Sequence, residues 1–133
     1  KNKMNKGLSK KGKCFIYVLE LENNNYYVGK SKNIYQRIGQ HFLGEGAEWT
    51  TLHKPVKIII TREISREQYD SGIEEKITTL KYMKLYEILK VRGGAYSQRD
   101  LKEGTIKAIQ ERFDDDICFK CNKPGHFIYQ IIV

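Results

Sequence analysis

The chain has 133 residues, 40% of them hydrophobic, with a net charge of +8 and a pI near 9.3. That length and apolar content suit a single packed domain with at most a small appendage, and exclude a disordered chain. No apolar run approaches the ~20 residues that span a bilayer, and the lysine-rich start lacks the apolar core of a secretory signal, so no membrane partner is expected.

Six lysines (Lys1, Lys3, Lys6, Lys10, Lys11 and Lys13) form a basic arm over residues 1–13. Lysines set on phosphates release condensed counterions, which makes nucleic acid the leading partner class. A flexible solubilising tail is the plainer reading of the same arm. A start at Lys1 is the expectation for a fragment or a processed chain. Three cysteines, two of them in a C-x2-C pair, do not make a disulfide framework. They fit a reducing, intracellular setting, cytoplasmic or nuclear.

"CFIYVLEL", Cys14 to Leu21, is apolar on both alternating faces, the pattern of a strand buried on both sides. The asparagines Asn23 to Asn25 suit a hairpin turn, because asparagine tolerates positive φ. A short second strand, Tyr26 to Val28, ends at Gly29 and returns antiparallel. Ser31 or Asn33 caps a helix over Ile34–Phe42, with Ile34, Ile38 and Phe42 as its apolar stripe and Arg37 and His41 at the stripe's edge. "GEGAEW" reads as a loop. Val56 to Thr61 is a β-branched run after Pro55 and reads as a third strand. "SREQ", Ser65 to Gln68, is a capping-box pattern opening a second helix that reaches about Lys90, with Gly72 a candidate interruption. "RGGAYS" breaks it, and Asp100 to Phe113 supplies a third helix. The order β-β-α-β-α-α predicts a small α/β domain over 14–113, built on a three-stranded mixed or antiparallel sheet flanked by helices. Residues 114–133 differ in composition and form a separate tail.

Tyr17, Tyr27, Lys30, Arg37, His41 and a downstream glutamate stand out together. Two neighbouring strands each present a tyrosine, and the next helix presents an arginine and a histidine one turn apart. Singly, each has a bland reading as a core or solvated side chain. As a set they carry a resemblance. "FIY" (Phe15 to Tyr17) followed by "YVG" (Tyr27 to Gly29) resembles the paired signature of the GIY-YIG nuclease family. "YVGKSKNIYQRIGQHF" is similar to the corresponding segment of the incision nuclease domain of nucleotide excision repair, a DNA-repair member of that family. "GAEWTTLHKP", Gly46 to Pro55, resembles the link to the third strand in structure-specific members. "RGGAY", Arg92 to Tyr96, resembles a segment of nuclease domains from some large DNA viruses, which hints at a viral protein. The signature departs at Phe15, where the family carries glycine, so this larger side chain needs a place to pack.

The resemblance implies a metal-dependent DNA endonuclease that leaves 5′-phosphate and 3′-hydroxyl ends. Tyr17 would activate the attacking water, Tyr27 would orient the water or the scissile phosphate, and Arg37 would neutralise charge growing on that phosphate. His41 would assist as a second donor or proton relay, and Lys30 and Lys32 would contact phosphate. A phenol with pKa near 10 is a poor base at neutral pH, so neighbouring cations would be needed to stabilise its phenolate. An arginine fork stays charged and suits a phosphate. The resemblance also implies one divalent ion, Mg2+ or Mn2+, held by one helical glutamate: Glu75 when aligned from Leu80–Met83, with Glu74 the alternative.

Cys118-x2-Cys121-x4-His126 resembles the first three ligands of a zinc knuckle, a module that binds single-stranded nucleic acid. The fourth ligand position holds Ile131, whereas structural zinc sites close at four ligands. Bound Zn2+ and a decayed knuckle both remain open. The alternative to an endonuclease is therefore a non-catalytic nucleic-acid-binding module, and the tail alone raises an RNA-directed role. Oligomeric state and preferred DNA structure are not legible in the sequence.

Overall fold

The computed structural model describes residues 13–115; Cys118, Cys121 and His126 lie outside the described residues, as do residues 1–12 of the basic arm. Strand β1 (Cys14–Leu21) turns through Glu22–Asn24 into β2 (Asn25–Ser31). The turn is made as the asparagines predict: Asn23 and Asn24 adopt φ of 59° and 61°. Helix α1 (Ile34–Phe42) and a one-turn helix α2 (Glu48–Leu52) lead to β3 (Pro55–Ile64). Then come α3 (Arg66–Ser71), α4 (Ile73–Leu85), a 3-10 turn at Ile88–Lys90, β4 (Val91–Gly93) and α5 (Glu103–Asp114).

Among the described residues the sheet has four strands, not the three expected, in the order β3-β1-β2-β4. β1 pairs antiparallel with both β2 and β3, while β4 runs parallel to β2, so the sheet is mixed. The extra strand is Val91–Gly93, two of whose residues, Arg92 and Gly93, belong to the segment read as a helix break. Nothing local marks it, because its partner is more than 60 residues away in sequence (Tyr26 opposite Val91).

β1 is buried on both faces, as its apolar pattern requires. On one face Ile16, Val18, Tyr26 and Val28 pack with Ile77, Leu80 and Met83 of α4 and with Ile109 and Phe113 of α5. On the other, Tyr17, Leu19, Leu21 and Tyr27 pack with Ile34, Ile38 and Trp49. Phe15, standing where the family has glycine, packs against this second cluster. The result is two helical layers around one sheet.

Two helix expectations need correction. The buried residues of α1 are Ile34, Ile38 and His41, whereas Phe42 is 46% exposed. The second helix is interrupted at the candidate Gly72 and ends early: α3 opens on the Ser65–Gln68 capping box and stops at Gly72, whose φ of +74° glycine adopts without strain, and α4 ends at Leu85, short of the expected Lys90. "GEGAEW" is also not wholly a loop, since Glu48 and Trp49 begin α2.

Candidate active site

Tyr17 stands on β1 and Tyr27 on β2, the two central strands, and both side chains point to the face covered by α1 and α2. Their ring centroids are 6.3 Å apart. His41 rises from α1 between them, 5.6 Å from the Tyr17 ring and 5.0 Å from the Tyr27 ring. Tyr17 is 1% exposed, Tyr27 7% and His41 0%, so His41 is fully enclosed rather than at the stripe's edge.

The polar atoms of this group are paired in a chain. The Tyr17 hydroxyl lies 2.7 Å from His41 Nε2, and His41 Nδ1 lies 2.8 Å from Thr50 Oγ1. Thr50 Oγ1 donates to the Ala47 carbonyl at 2.9 Å. Two glycines press the chain together. A Cβ on Gly29 would stand 2.4 Å from the Tyr17 hydroxyl, and one on Gly46 would stand 2.1 Å from His41 Nδ1. Glycine at both positions is therefore set by close approach, not by backbone freedom.

Arg37, one turn before His41, is the half-buried member that joins this enclosed group to solvent. Its Nη1 donates to Gln40 Oε1 at 3.0 Å. Burial pushes the Tyr17 phenol well above its ordinary pKa, and the neighbouring Tyr27 adds to this; the Arg37 guanidinium pulls the other way. Tyr27 is raised by burial and by Glu75, again against Arg37. Burial, with Arg37 assisting, lowers His41 to about 4, so its ring is neutral at neutral pH.

The two candidate glutamates part company. Glu74 Oε1 lies 3.6 Å from Arg62 Nη1, and Gln68 Nε2 donates to Glu74 Oε2 at 3.3 Å. Glu75 instead faces the tyrosines electrostatically, contributing to the raised pKa of both. Burial raises Glu75, while Lys30 and the Gly94 backbone N–H lower it. Lys30 is thus beside Glu75; its Nζ donates to the Tyr69 carbonyl and lies 4.4 Å over the Tyr69 ring. Lys32 lies over the same ring at 5.4 Å. The structure therefore brings Tyr17, Tyr27, Arg37, His41 and Glu75 to one place, with Lys30 at its border, and engages Glu74 elsewhere.

Among the described residues no group of three or more histidines, cysteines, aspartates or glutamates gathers as a metal cage. A partly buried carboxylate whose charge is only partly offset by Lys30 and Gly94 still suits a divalent ion that keeps most of its waters. The sequence singles out Gly29 as the last residue of the "YVG" signature, but not Gly46 or Thr50. Gly46 and Thr50 lie inside "GAEWTTLHKP", so the signal was the motif itself without a reason for its residues.

The profile of the GIY-YIG catalytic domain matches residues 13–87. The chain is 31% identical over 74 residues to the UPF0213 protein YazA of Bacillus subtilis, spanning 54% of this chain and 75% of that one. It is 24% identical over 82 residues to the UPF0213 protein BH0048 of Halalkalibacterium halodurans, covering 62% of this chain and 87% of the relative. A UPF0213 protein of Streptococcus pneumoniae is 29% identical over 77 residues, 58% of this chain and 78% of its own. These relatives are bacterial, and they lend no support to a viral origin or a nuclear location. No solved structure gives a significant match. Among the described residues no helix is long and apolar enough to cross a membrane.

Proposed function

This chain belongs to the GIY-YIG family, and from that membership we propose that it is a metal-dependent endonuclease that hydrolyses DNA phosphodiester bonds to 5′-phosphate and 3′-hydroxyl ends. The observation that carries the reading is the convergence of two tyrosines, a neutral histidine, an arginine and a partly buried glutamate at the centre of the sheet.

Tyr17 takes a proton from the attacking water, and the 2.7 Å hydrogen bond gives the phenol's own proton a path to His41 Nε2. A buried phenol is a reluctant acid, so a partner at hydrogen-bond distance and a nearby cation are both needed to reach the phenolate. Arg37 supplies the cation and, when substrate is bound, turns its fork to the phosphate. Tyr27 orients the water or the phosphate beside it. The new O–P bond forms as the P–O3′ bond breaks, and the 3′ oxygen takes up a proton to leave as hydroxyl. Glu75 would hold the divalent ion, Mg2+ or Mn2+, and Lys30 beside it would contact phosphate. When bound, such an ion supplies Lewis-acid stabilisation of charge on the leaving oxygen.

The test is incubation of the purified chain with supercoiled, branched and single-stranded DNA and matched RNA, in Mg2+, Mn2+ or EDTA. Metal-dependent DNA cleavage is expected, lost by about 10²-fold or more in Tyr17→Phe, Arg37→Ala and Glu75→Gln with the fold intact by circular dichroism. Glu74→Gln should retain it. Salt-sensitive binding with no cleavage of any substrate would instead identify a non-catalytic binding module.

A further inference from the structure

We propose that Thr50 is a positioning residue that fixes the tautomer of His41, leaving Nε2 bare to accept the Tyr17 proton; the catalytic part of this rests on the nuclease reading above. Thr50 has no acid–base reactivity of its own at neutral pH. Thr50 is 0% exposed on the one-turn helix α2, and its Oγ1 is 2.9 Å from the Ala47 carbonyl oxygen. A carbonyl only accepts, and two oxygens that close repel unless a proton lies between them. The Thr50 hydroxyl proton is therefore committed to Ala47.

Only lone pairs of Thr50 Oγ1 then face His41 Nδ1 at 2.8 Å, so Nδ1 must carry the hydrogen. A neutral imidazole has a single N–H. Nε2 is consequently the acceptor, and at 2.7 Å the Tyr17 hydroxyl donates to it. The opposite tautomer would set two lone pairs against each other at Thr50 and would offer Tyr17 a donor where it needs an acceptor. Burial of the ring supports the neutral form from which this follows.

The remainder of the loop serves the same geometry. Gly46 closes on the ring from the Nδ1 side, where even a methyl group would collide. Trp49, next to Thr50, lies 4.2 Å under the Arg92 guanidinium and 4.4 Å from the His53 ring. Arg92 is 3% exposed and donates to the carbonyls of Ile88, Val91, Gln98 and Arg99. The helix carrying Thr50 is thus stacked on a side chain that is itself fixed by the β4 turn.

During turnover the Tyr17 proton passes to Nε2 and the ring becomes imidazolium, with its Nδ1–H still on Thr50. The phenolate takes a proton from water. One proton has moved from water to His41, and no electrons are exchanged.

Thr50→Val keeps the shape and removes the hydroxyl; Thr50→Ser restores it. Long-range 1H–15N correlation of the His41 ring reads the tautomer without reference to activity. The Nδ1–H form is expected in the native chain and in Thr50→Ser, and a shift toward Nε2–H in Thr50→Val. The kcat for DNA cleavage should fall about 10- to 100-fold in Thr50→Val with KM unchanged, part of the ~10²–10⁴-fold that a positioned proton acceptor contributes. Thr50→Ser should recover most of it. A folded Thr50→Val that keeps the Nδ1–H ring, or cleaves at the native rate, overturns the proposal. A native chain that cuts nothing while its tautomer still follows Thr50 overturns the nuclease reading and supports the tautomer assignment.

Discussion

At the scale of single residues, the centre of this molecule is a buried row of titratable and polar groups that satisfy one another: Tyr17, His41, Thr50 and the Ala47 carbonyl. Such groups are tolerated inside only when each has a partner. The consequence is geometric intolerance around them. Gly46→Ala would bring a methyl group 2.1 Å from His41 Nδ1 and 2.7 Å from Cε1, so the ring must shift and both of its hydrogen bonds must lengthen. We expect a stability loss of about 1–3 kcal/mol by urea titration and a fall in cleavage of about 10²-fold. Gly39→Ala, on α1 with open space around its Cβ, is the control and should stabilise by about 0.5–1 kcal/mol.

The buried histidine also makes a pH prediction. In the folded chain His41 titrates near 4, against an ordinary 6.5. Between those values the unfolded chain binds a proton that the folded one refuses, so stability from this group is complete above pH 6.5 and falls as pH drops toward 4. An NMR titration of the imidazole should show its midpoint near 4, and His41→Gln should flatten the acid slope of the unfolding free energy.

At the scale of elements, Gly72 decides where Glu74 and Glu75 point. It ends α3 and caps α4 with φ of +74°, which puts both glutamates in the first turn of α4, where carboxylates are favoured by the helix dipole. A Cβ there would have only Lys30 Nζ near it, at 4.0 Å, so Gly72→Ala introduces backbone strain without a clash. It should cost about 1–2 kcal/mol in denaturant unfolding. Helix α1 shows the complementary limit of pattern reading. Its bounds follow from the sequence, yet its third buried position is His41 where the apolar stripe points to Phe42. Ile34 and Ile38 are compatible with either residue by helical spacing. Hydrophobicity favours Phe42, but the Tyr17 hydroxyl on the sheet needs an acceptor, and His41 meets that need.

At the scale of the whole molecule, the sheet order β3-β1-β2-β4 sets the two tyrosines on the central strands, and the parallel edge strand β4 brings the Gly94 N–H to Glu75. Gly93 is locked between Val28 and Thr79, with no space for a Cβ, so "RGG" has a structural reading in full. The charge of +8 makes a prediction at this scale. DNA affinity should fall linearly in log Kd against log salt, and a chain lacking residues 1–12, with its five lysines Lys1, Lys3, Lys6, Lys10 and Lys11, should show a shallower slope of binding by anisotropy. An unchanged slope would mean that the arm does not touch phosphate.

Local chemistry was enough to read β1, the asparagine turn, α1 and the Ser65 capping box, because each depends on residues within a turn or two of one another; the two tyrosines and Arg37, ten residues apart in turn, stood out only as a set through their resemblance to a known signature. The fourth strand, the enclosure of His41, the choice of Thr50 as its partner and the separation of Glu75 from Glu74 were decided only in three dimensions. Each of those depends on a contact between residues distant in the chain, such as Tyr17 with His41, Gly94 with Glu75, or Arg62 with Glu74. Spacing along a helix says which side chains share a face. It does not say which buried polar atom on a neighbouring strand is waiting for a partner, and that requirement set the architecture of this site.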